Sequence, residues 1–337
     1  YQAPESAALL DEITRSLLSD PPFLPATLHY DERGSELFEE ICQQPEYGLT
    51  RTEISIMRTH AGESASAVGP GAAVIEPGSG ASLKTELLID ALDDCAGYIP
   101  SDISDTMLSL ASSRFAERFP GLPIQPVHAD FMKPIKLPDE ARLGNRRVVY
   151  FPGSTIGNFG DAAQHHVLKS FHRLAGEDGL LLVGFDLVKS VTAMERAYND
   201  AAGVTAAFNL NMIHRLRSEF GLDIRPEDFE FHATWNPDRQ AIVSHVHALR
   251  EVTIELGKGR LTLACGDGIQ TEESHKYTAE RIEALASSCG LAVRDQWRDD
   301  NTQFAVVLLS GGCPDPLRRR SRMREQGRRR LTTDRCA

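Results

Sequence analysis

The chain has 337 residues, 41% hydrophobic and 25% charged, with a net charge of −12. That length accommodates one large α/β domain with a sizeable insertion, or two domains sharing a core, and the acidic balance argues against nucleic acid as a main partner. No apolar run reaches membrane-spanning length, no signal peptide opens the chain, and the six cysteines (Cys42, Cys95, Cys265, Cys289, Cys313, Cys336) form no C-x-x-C pair, which argues against a zinc site or disulfide scaffold and fits a reducing cytoplasm.

The N-terminal 60 residues carry an amphipathic helix (Ala7, Leu10, Ile13, Leu17) and then a polar, aromatic segment. They are expected to join a later insertion as a lid. Strand and helix patterns alternate from Ala72 to Phe185, the signature of a parallel sheet. Strands are predicted at Ala72–Ile75, Gly97–Pro100, Ile124–His128, Arg147–Phe151 and Leu180–Phe185, with helices at Leu83–Leu92, Asp105–Arg118 and Ala162–Leu174. A helix opens near Ser190 and continues, with breaks, to Phe220. From Phe229 to Thr271 the texture is that of antiparallel hairpins. Val252, Ile254 and Leu256 share a face, Gly257-Lys258-Gly259 turns the chain, and Leu261 and Leu263 follow. A helix at Thr278–Ser288 and strands at Leu291–Trp297 and Gln303–Leu309 return to the first pattern.

The expected organisation is a Rossmann-like core from residues 61–189 and 277–313, an inserted α+β substrate domain at 190–276 joined by residues 1–60, and a basic tail at 314–337. The tail carries nine arginines against three acids, about +6, which leaves about −18 on the rest. It lacks apolar periodicity and is expected to be disordered.

Several segments suggest chemistry. Ala72 to Thr85 reads as a buried strand, an acid (Glu76), a glycine pair (Gly78, Gly80 around Ser79) and a helix start. Glycines let backbone N–H groups come close to a ligand. Asp102 follows the next apolar run, where a ribose-gripping acid stands in doubly wound folds. Leu83 occupies the third glycine position of a dinucleotide fingerprint, and Lys84-Thr85 lacks Walker spacing. An acid beside the glycines suits a cationic ligand without phosphate, and S-adenosylmethionine (SAM) fits. On this stretch alone a ligand-free strand-to-helix turn is an equal alternative. Asp130 and Phe131 end the third strand, where an adenine amine and ring would lie.

The loop Phe151 to Phe159, rich in glycine and hydroxyls, is where an acceptor substrate would sit. Its Asn158 offers two donors and a carbonyl, or serves as a cap or turn residue. Tyr198 and Thr205 are seven apart and are expected on one helical face as a polar pocket wall. Glu272 and Ser274, two apart on a strand, point to one side and could hold a heteroaromatic N–H or a cation, or form a solvated strand end. The eleven histidines show no metal-binding spacing; His165–His166 and His245/His247 find no third ligand, so no metal is expected. No serine elbow or Cys–His pair is visible, which argues against covalent catalysis.

Taken together, these segments resemble the L-histidine Nα-methyltransferase family of ergothioneine biosynthesis, along nearly the whole chain up to Leu309. The matching stretches are Tyr30–Phe38, Pro45–Tyr47, Thr50–Glu53, Glu76–Gly80, Gly153–Phe159, Asp186–Lys189, Tyr198–Asn211 and Thr271–Tyr277. The resemblance implies a class I SAM-dependent core with a substrate domain. It places Glu76, Gly78, Ser79, Gly80, Lys84, Asp102, Asp130 and Phe131 at SAM, and Asn158 and Tyr198 at the substrate carboxylate. Gly153 and Tyr30 would lie near the α-amine, and Tyr47, Glu272 and Ser274 would read the imidazole. Phe38 and Thr205 are further candidates for that pocket. The implied reaction is three methyl transfers to L-histidine, giving hercynine, and a sulfur-adding enzyme is the implied partner in the pathway. A monomer is expected, with no nucleic-acid or membrane partner.

Two positions depart from the family. Gly48-Leu49 stand where Tyr-Pro is usual, and Ser244 stands where a methionine usually packs beside the imidazole. Another acceptor, such as tryptophan, is therefore an alternative, as is a non-catalytic SAM-binding protein.

Overall fold

The computed structural model describes residues 6–312 except 81, 140 and 142. The arginine-rich tail at 314–337 lies outside the described residues. Three helices open the chain: α1 (Ser6–Leu17), α2 (Glu32–Gln43) and α3 (Leu49–Val68). There follow β1 (Ala72–Pro77), α4 (Leu83–Ala91), β2 (Gly97–Asp102), α5 (Asp105–Arg118), β3 (Val127–His128), β4 (Arg146–Phe151), α6 (Asp161–Ala175) and β5 (Leu180–Asp186). The insertion holds α7 (Val191–Tyr198), α8 (Val204–Ser218), β6 (Phe229–Asn236), β7 (Ala241–Ala248), β8 (Val252–Glu255), β9 (Arg260–Leu263) and β10 (Gly268–His275). The last elements are α9 (Ala279–Ser288), β11 (Leu291–Arg298) and β12 (Phe304–Gly311).

Seven strands form one sheet in the order β11-β12-β5-β4-β1-β2-β3. β1 to β5 pair in parallel, and β12 runs antiparallel to both of its neighbours. β1 and β5 are buried along their whole length, as a sheet covered on both faces requires. Ile75, Val149, Phe151, Leu181 and Val183 fill one face; Val74, Val148, Tyr150, Leu182 and Phe304 fill the other. The third strand is only two residues long. Pro126 has no N–H for a ladder, so Ile124 makes an isolated bridge to Tyr98 before pairing resumes at Val127.

The expected hairpins form a three-stranded sheet, β10-β7-β6, and the two-stranded β8-β9. Ile13 and Leu17 of α1 share a core with Met212, Ile213, Val246 and Ile269. Two features differ from expectation. The polar, aromatic N-terminal segment contains two helices, α2 and α3. And α3 is not part of the lid: Ile56, Met57, Ala65 and Val68 bury against the core sheet beside Val74 and Phe304. α3 thus runs unbroken across the expected boundary at residue 60.

The insertion leaves and re-enters the core at adjacent points. Tyr277 donates its N–H to the carbonyl of Asp186 at 2.9 Å and accepts from the N–H of Val188 at 3.1 Å. The carboxyl ends of β1, β2, β4 and β5 therefore face the small sheet. Among the described residues no helix is long and apolar enough to cross a membrane.

Candidate active site

The glycine turn after β1 is latched to the end of β2. Gly78 has φ of +66°, and a Cβ there would stand 3.2 Å from the ring of Phe131. Gly80 donates its N–H to Oδ2 of Asp102 at 3.0 Å, and the other oxygen accepts from the N–H of Ser104 at 2.9 Å. The N–H of Ser79 donates to the carbonyl of Ser101 at 3.0 Å. Asp102 thus both shapes the turn and, with its unused lone pairs, faces the space above it. Asp130 accepts from the N–H of Met132 at 2.9 Å and lies 3.4 Å from the ammonium of Lys133. Phe131 rests edge-on against Phe151 and Phe159 and limits the turn from one side.

Glu76 differs from expectation. Its carboxylate is buried and accepts a short hydrogen bond from the hydroxyl of Tyr98. Tyr98 also lies 2.8 Å from Oγ of Ser82. Burial pushes Glu76 up to about 7, with hydrogen bonds from neighbouring hydroxyls pulling the other way. The physical reason is strand length: β1 continues through Glu76 to Pro77, so the side chain stays inside the layer under the turn and braces it.

Lys84, in the first turn of α4, points to Glu53 at 2.7 Å. The same Glu53 oxygen accepts the N–H of Gly153 at 2.8 Å. Glu53 is fully buried on α3, and a side chain at Gly184 would put Cβ 2.5 Å from its other oxygen. A glycine in the middle of β5 thereby makes room for a carboxylate. One anion joins the turn after β1 to the loop after β4. The sequence carries a signal for it: Leu49, Glu53, Ile56 and Met57 follow helical spacing, and one member of that buried stripe is charged.

The loop after β4 closes with a short 3-10 turn, Thr155–Asn158. Ser154 accepts the N–H of Asp186 at 2.9 Å, tying the loop to β5. Gly157 approaches β10 so closely that a Cβ would stand 2.8 Å from the carbonyl of His275. Asn158 is thereby placed at the small sheet, half-buried, its amide making no hydrogen bond to a described residue.

The end of β10 and α7 carry a buried polar cluster. The hydroxyl of Tyr198 lies 2.7 Å from Oγ of Ser274, and the ammonium of Lys276 donates to both, at 2.8 and 2.9 Å. Tyr47 packs edge-on against Tyr198 with ring centroids 6.1 Å apart. The charge of Glu272 acts on Tyr30, Tyr47 and Tyr198, so all three lie within its electrostatic reach. Glu272 makes no hydrogen bond or ion pair with a described residue; burial raises it to about 7, opposed by Lys276. Ser244 is paired with Glu272 across β7 and β10, and its buried hydroxyl has no partner among the described residues. Tyr30 and Phe38 meet at 6.3 Å and Tyr30 and Phe208 at 6.0 Å, closing the aromatic side.

Thr205 is not on the face of Tyr198. Tyr198 ends α7, and Thr205 sits in the first turn of α8. Asp200 breaks the helix by accepting the N–H groups of Val204 and Thr205, both at 2.8 Å, and Gly203 turns the chain with φ of +74°. The seven-residue spacing therefore has no helical meaning there. Gly48 and Leu49 start α3, with Leu49 buried beside Tyr47 and Tyr198. Among the described residues no group of three or more His, Cys, Asp or Glu is placed to hold a metal ion.

A seven-stranded sheet with one antiparallel strand next to its edge, and a glycine turn after the first strand latched to the acid ending the second, is the architecture of a class I SAM-dependent methyltransferase. The chain belongs to the histidine-specific, SAM-dependent methyltransferase family, whose model matches residues 9–311. It is 35% identical over 319 residues to the histidine N-alpha-methyltransferase of Mycolicibacterium smegmatis, covering 91% of this chain and 97% of that protein. Against the histidine N-alpha-methyltransferase of Mycobacterium tuberculosis the identity is 32%, covering 90% and 95%. It is also 30% identical to ergothioneine biosynthesis protein 1 of Neurospora crassa, covering 86% of this chain and 33% of that longer protein.

Proposed function

We propose that this protein methylates the α-amine of L-histidine three times at the expense of SAM, giving hercynine for ergothioneine biosynthesis. One observation supports this reading most: beside the Tyr198–Ser274 hydroxyl pair, Glu272 and Ser244 make no hydrogen bond to a described residue, and neither does the half-buried amide of Asn158 on the loop that meets β10. Buried polar groups left unpaired are costly, and a ligand with complementary ends relieves that cost.

The glycine turn fits SAM, since a Cβ at Gly78 would fill the cradle against Phe131. Asp102 would take ribose hydroxyls, Asp130 and Phe131 the adenine, and the backbone around Ser79 and Gly80, with Lys84, the amino-acid end. When bound, SAM supplies a methyl group on a sulfonium, open to in-line attack by an amine. The protein's part is alignment. Asn158 and Tyr198 hold the substrate carboxylate by donated hydrogen bonds. Glu272, Ser274 and Tyr47 hold the imidazole. Gly153 and Tyr30 flank the amine, and neither is a strong base, so the amine end stays roomy enough for a second and third methyl group.

Incubating the full chain with SAM and a panel of amino acids, read by mass spectrometry, tests the reading. L-histidine is expected to gain three methyl groups; a product with tryptophan alone, or none, refutes it. The tryptophan outcome has an observation behind it, because Ser244 stands where a bulkier methionine is usual and its hydroxyl has no partner among the described residues. Asn158→Ala is expected to raise the KM for L-histidine on the order of 100-fold, the scale of a hydrogen bond to a charged group. Its SAM affinity by calorimetry is expected to be unchanged. A normal KM removes Asn158 from the carboxylate site.

A further inference from the structure

Lys276 follows β10 immediately and is fully buried. An ammonium has three hydrogens and no lone pair. Here all three have acceptors: Oδ2 of Asp186 at 2.9 Å, the hydroxyl of Tyr198 at 2.8 Å and Oγ of Ser274 at 2.9 Å. Nothing is left to donate to a ligand, and no surface is left to meet one. Asp186 is set by the core sheet as the last residue of β5, and Lys189 also pairs with it. Burial alone would neutralise Lys276, but Asp186 and Tyr198 outweigh it and hold it charged.

The consequence lies in the hydroxyl pair. Each oxygen spends one lone pair on Lys276, so each retains one hydrogen and one lone pair. Their mutual bond at 2.7 Å uses one hydrogen and one lone pair. The pair therefore presents outward one hydrogen and one lone pair, on different oxygens. A carboxylate at Tyr198 accepts only, so it draws the phenol hydrogen; Ser274 must then donate to Tyr198 and is left as an acceptor. An acceptor there suits a ring N–H. Without Lys276 each oxygen would keep a further lone pair, so Ser274 could accept a ring N–H in either orientation of the pair and the two ends would no longer be coupled.

We propose that Lys276 is a positioning residue that fixes the hydrogen-bond polarity of the Tyr198–Ser274 pair, coupling recognition of the substrate's carboxylate to recognition of its ring N–H. This rests on the reading of the site given above. Binding of L-histidine and of histamine, which has the same ring and amine but no carboxylate, is measured by calorimetry on the full chain with SAM binding as the check of folding. Lys276→Met is expected to weaken L-histidine roughly 30- to 100-fold and histamine less than threefold. In a Tyr198→Phe background the same change is expected to cost less than threefold for L-histidine. Equal losses for both ligands, or equal losses in both backgrounds, would show a purely structural lysine. If Lys276→Met fails to bind SAM, the Asp186→Asn, Lys276→Met pair, which leaves no lone charge of this pair buried, enters the same cycle. In the unmodified protein, β-(3-pyridyl)alanine, whose ring has no N–H, is expected to bind at least tenfold more weakly than L-histidine; equal affinity overturns the fixed polarity whatever the variants do. An unmodified protein that ignores L-histidine refutes the function proposed above, whereas one that binds it while Lys276→Met binds equally well refutes only the role of Lys276.

Discussion

Glu53→Ala is expected to lower the melting temperature on the order of 5–10 °C and to weaken SAM binding at least tenfold. The carboxylate is fully buried and serves Lys84 and the N–H of Gly153 through one oxygen. Removing one partner of a buried ion pair costs about 3–5 kcal/mol, because the other charge stays desolvated; here Lys84 keeps a little solvent contact, which puts the cost toward the lower end. In a protein of this size each kcal/mol moves the transition by about 2 °C or more. The SAM effect has a separate origin: Glu53 is the common anchor of two loops, and without it neither the lysine nor the Gly153 backbone has a fixed position. Glu53→Gln keeps an acceptor for Gly153 and is expected to lie between. Calorimetric melting together with SAM titration checks both, and unchanged SAM affinity in a destabilised Glu53→Ala protein would show that the anchor serves the fold alone.

Glu272→Gln is expected to stabilise the protein above pH 7 while impairing it. The unfolded chain releases this proton near 4.5, whereas burial holds it on the folded protein to about 7. Between those values the folded state is the more protonated one, so stability falls as pH rises through the interval and then levels. The carboxylate's cost above pH 7 is on the order of 3 kcal/mol. A neutral amide does not bear it. The variant is expected to melt on the order of 5 °C higher at pH 8, with little difference from the unmodified protein at pH 4.5. In exchange the KM for L-histidine is expected to rise about tenfold, since a neutral amide no longer favours the charged ring, whose two N–H groups would serve Glu272 and Ser274. Melting curves at the two pH values, with steady-state kinetics at pH 8, decide the matter. A variant that melts lower at pH 8 would mean that Glu272 is paired in the free protein.

The parts of this molecule governed by local rules were legible in its residues. Buried runs such as Leu180–Phe185, the Gly257-Lys258-Gly259 hairpin and the glycine turn after Ile75 each carry their own period or backbone requirement. What could not be read depends on partners distant in the chain. Lys276 looks like one more surface lysine until Asp186 is seen beneath it. The facing of Ser244 and Glu272 depends on a register shift between Gln270 and Glu272, which moves every later residue of β10 by one place. Glycine neighbours suggest a ligand-facing Glu76, yet the phenol that claims it comes from the adjacent strand, at Tyr98. The helix from Leu49 to Val68 is masked in the sequence because its stripe includes a charge and several small polar residues. That same charge is the anchor of both loops.

The side-by-side exit and return at Leu187 and Tyr277 have an evolutionary corollary. The stretch between them behaves as a graft on two touching stems. Its closure is already met by the host, so adding residues to it raises the entropic cost only as the logarithm of its length. Length can thus be gained or lost between these stems without disturbing the pairing of the core sheet.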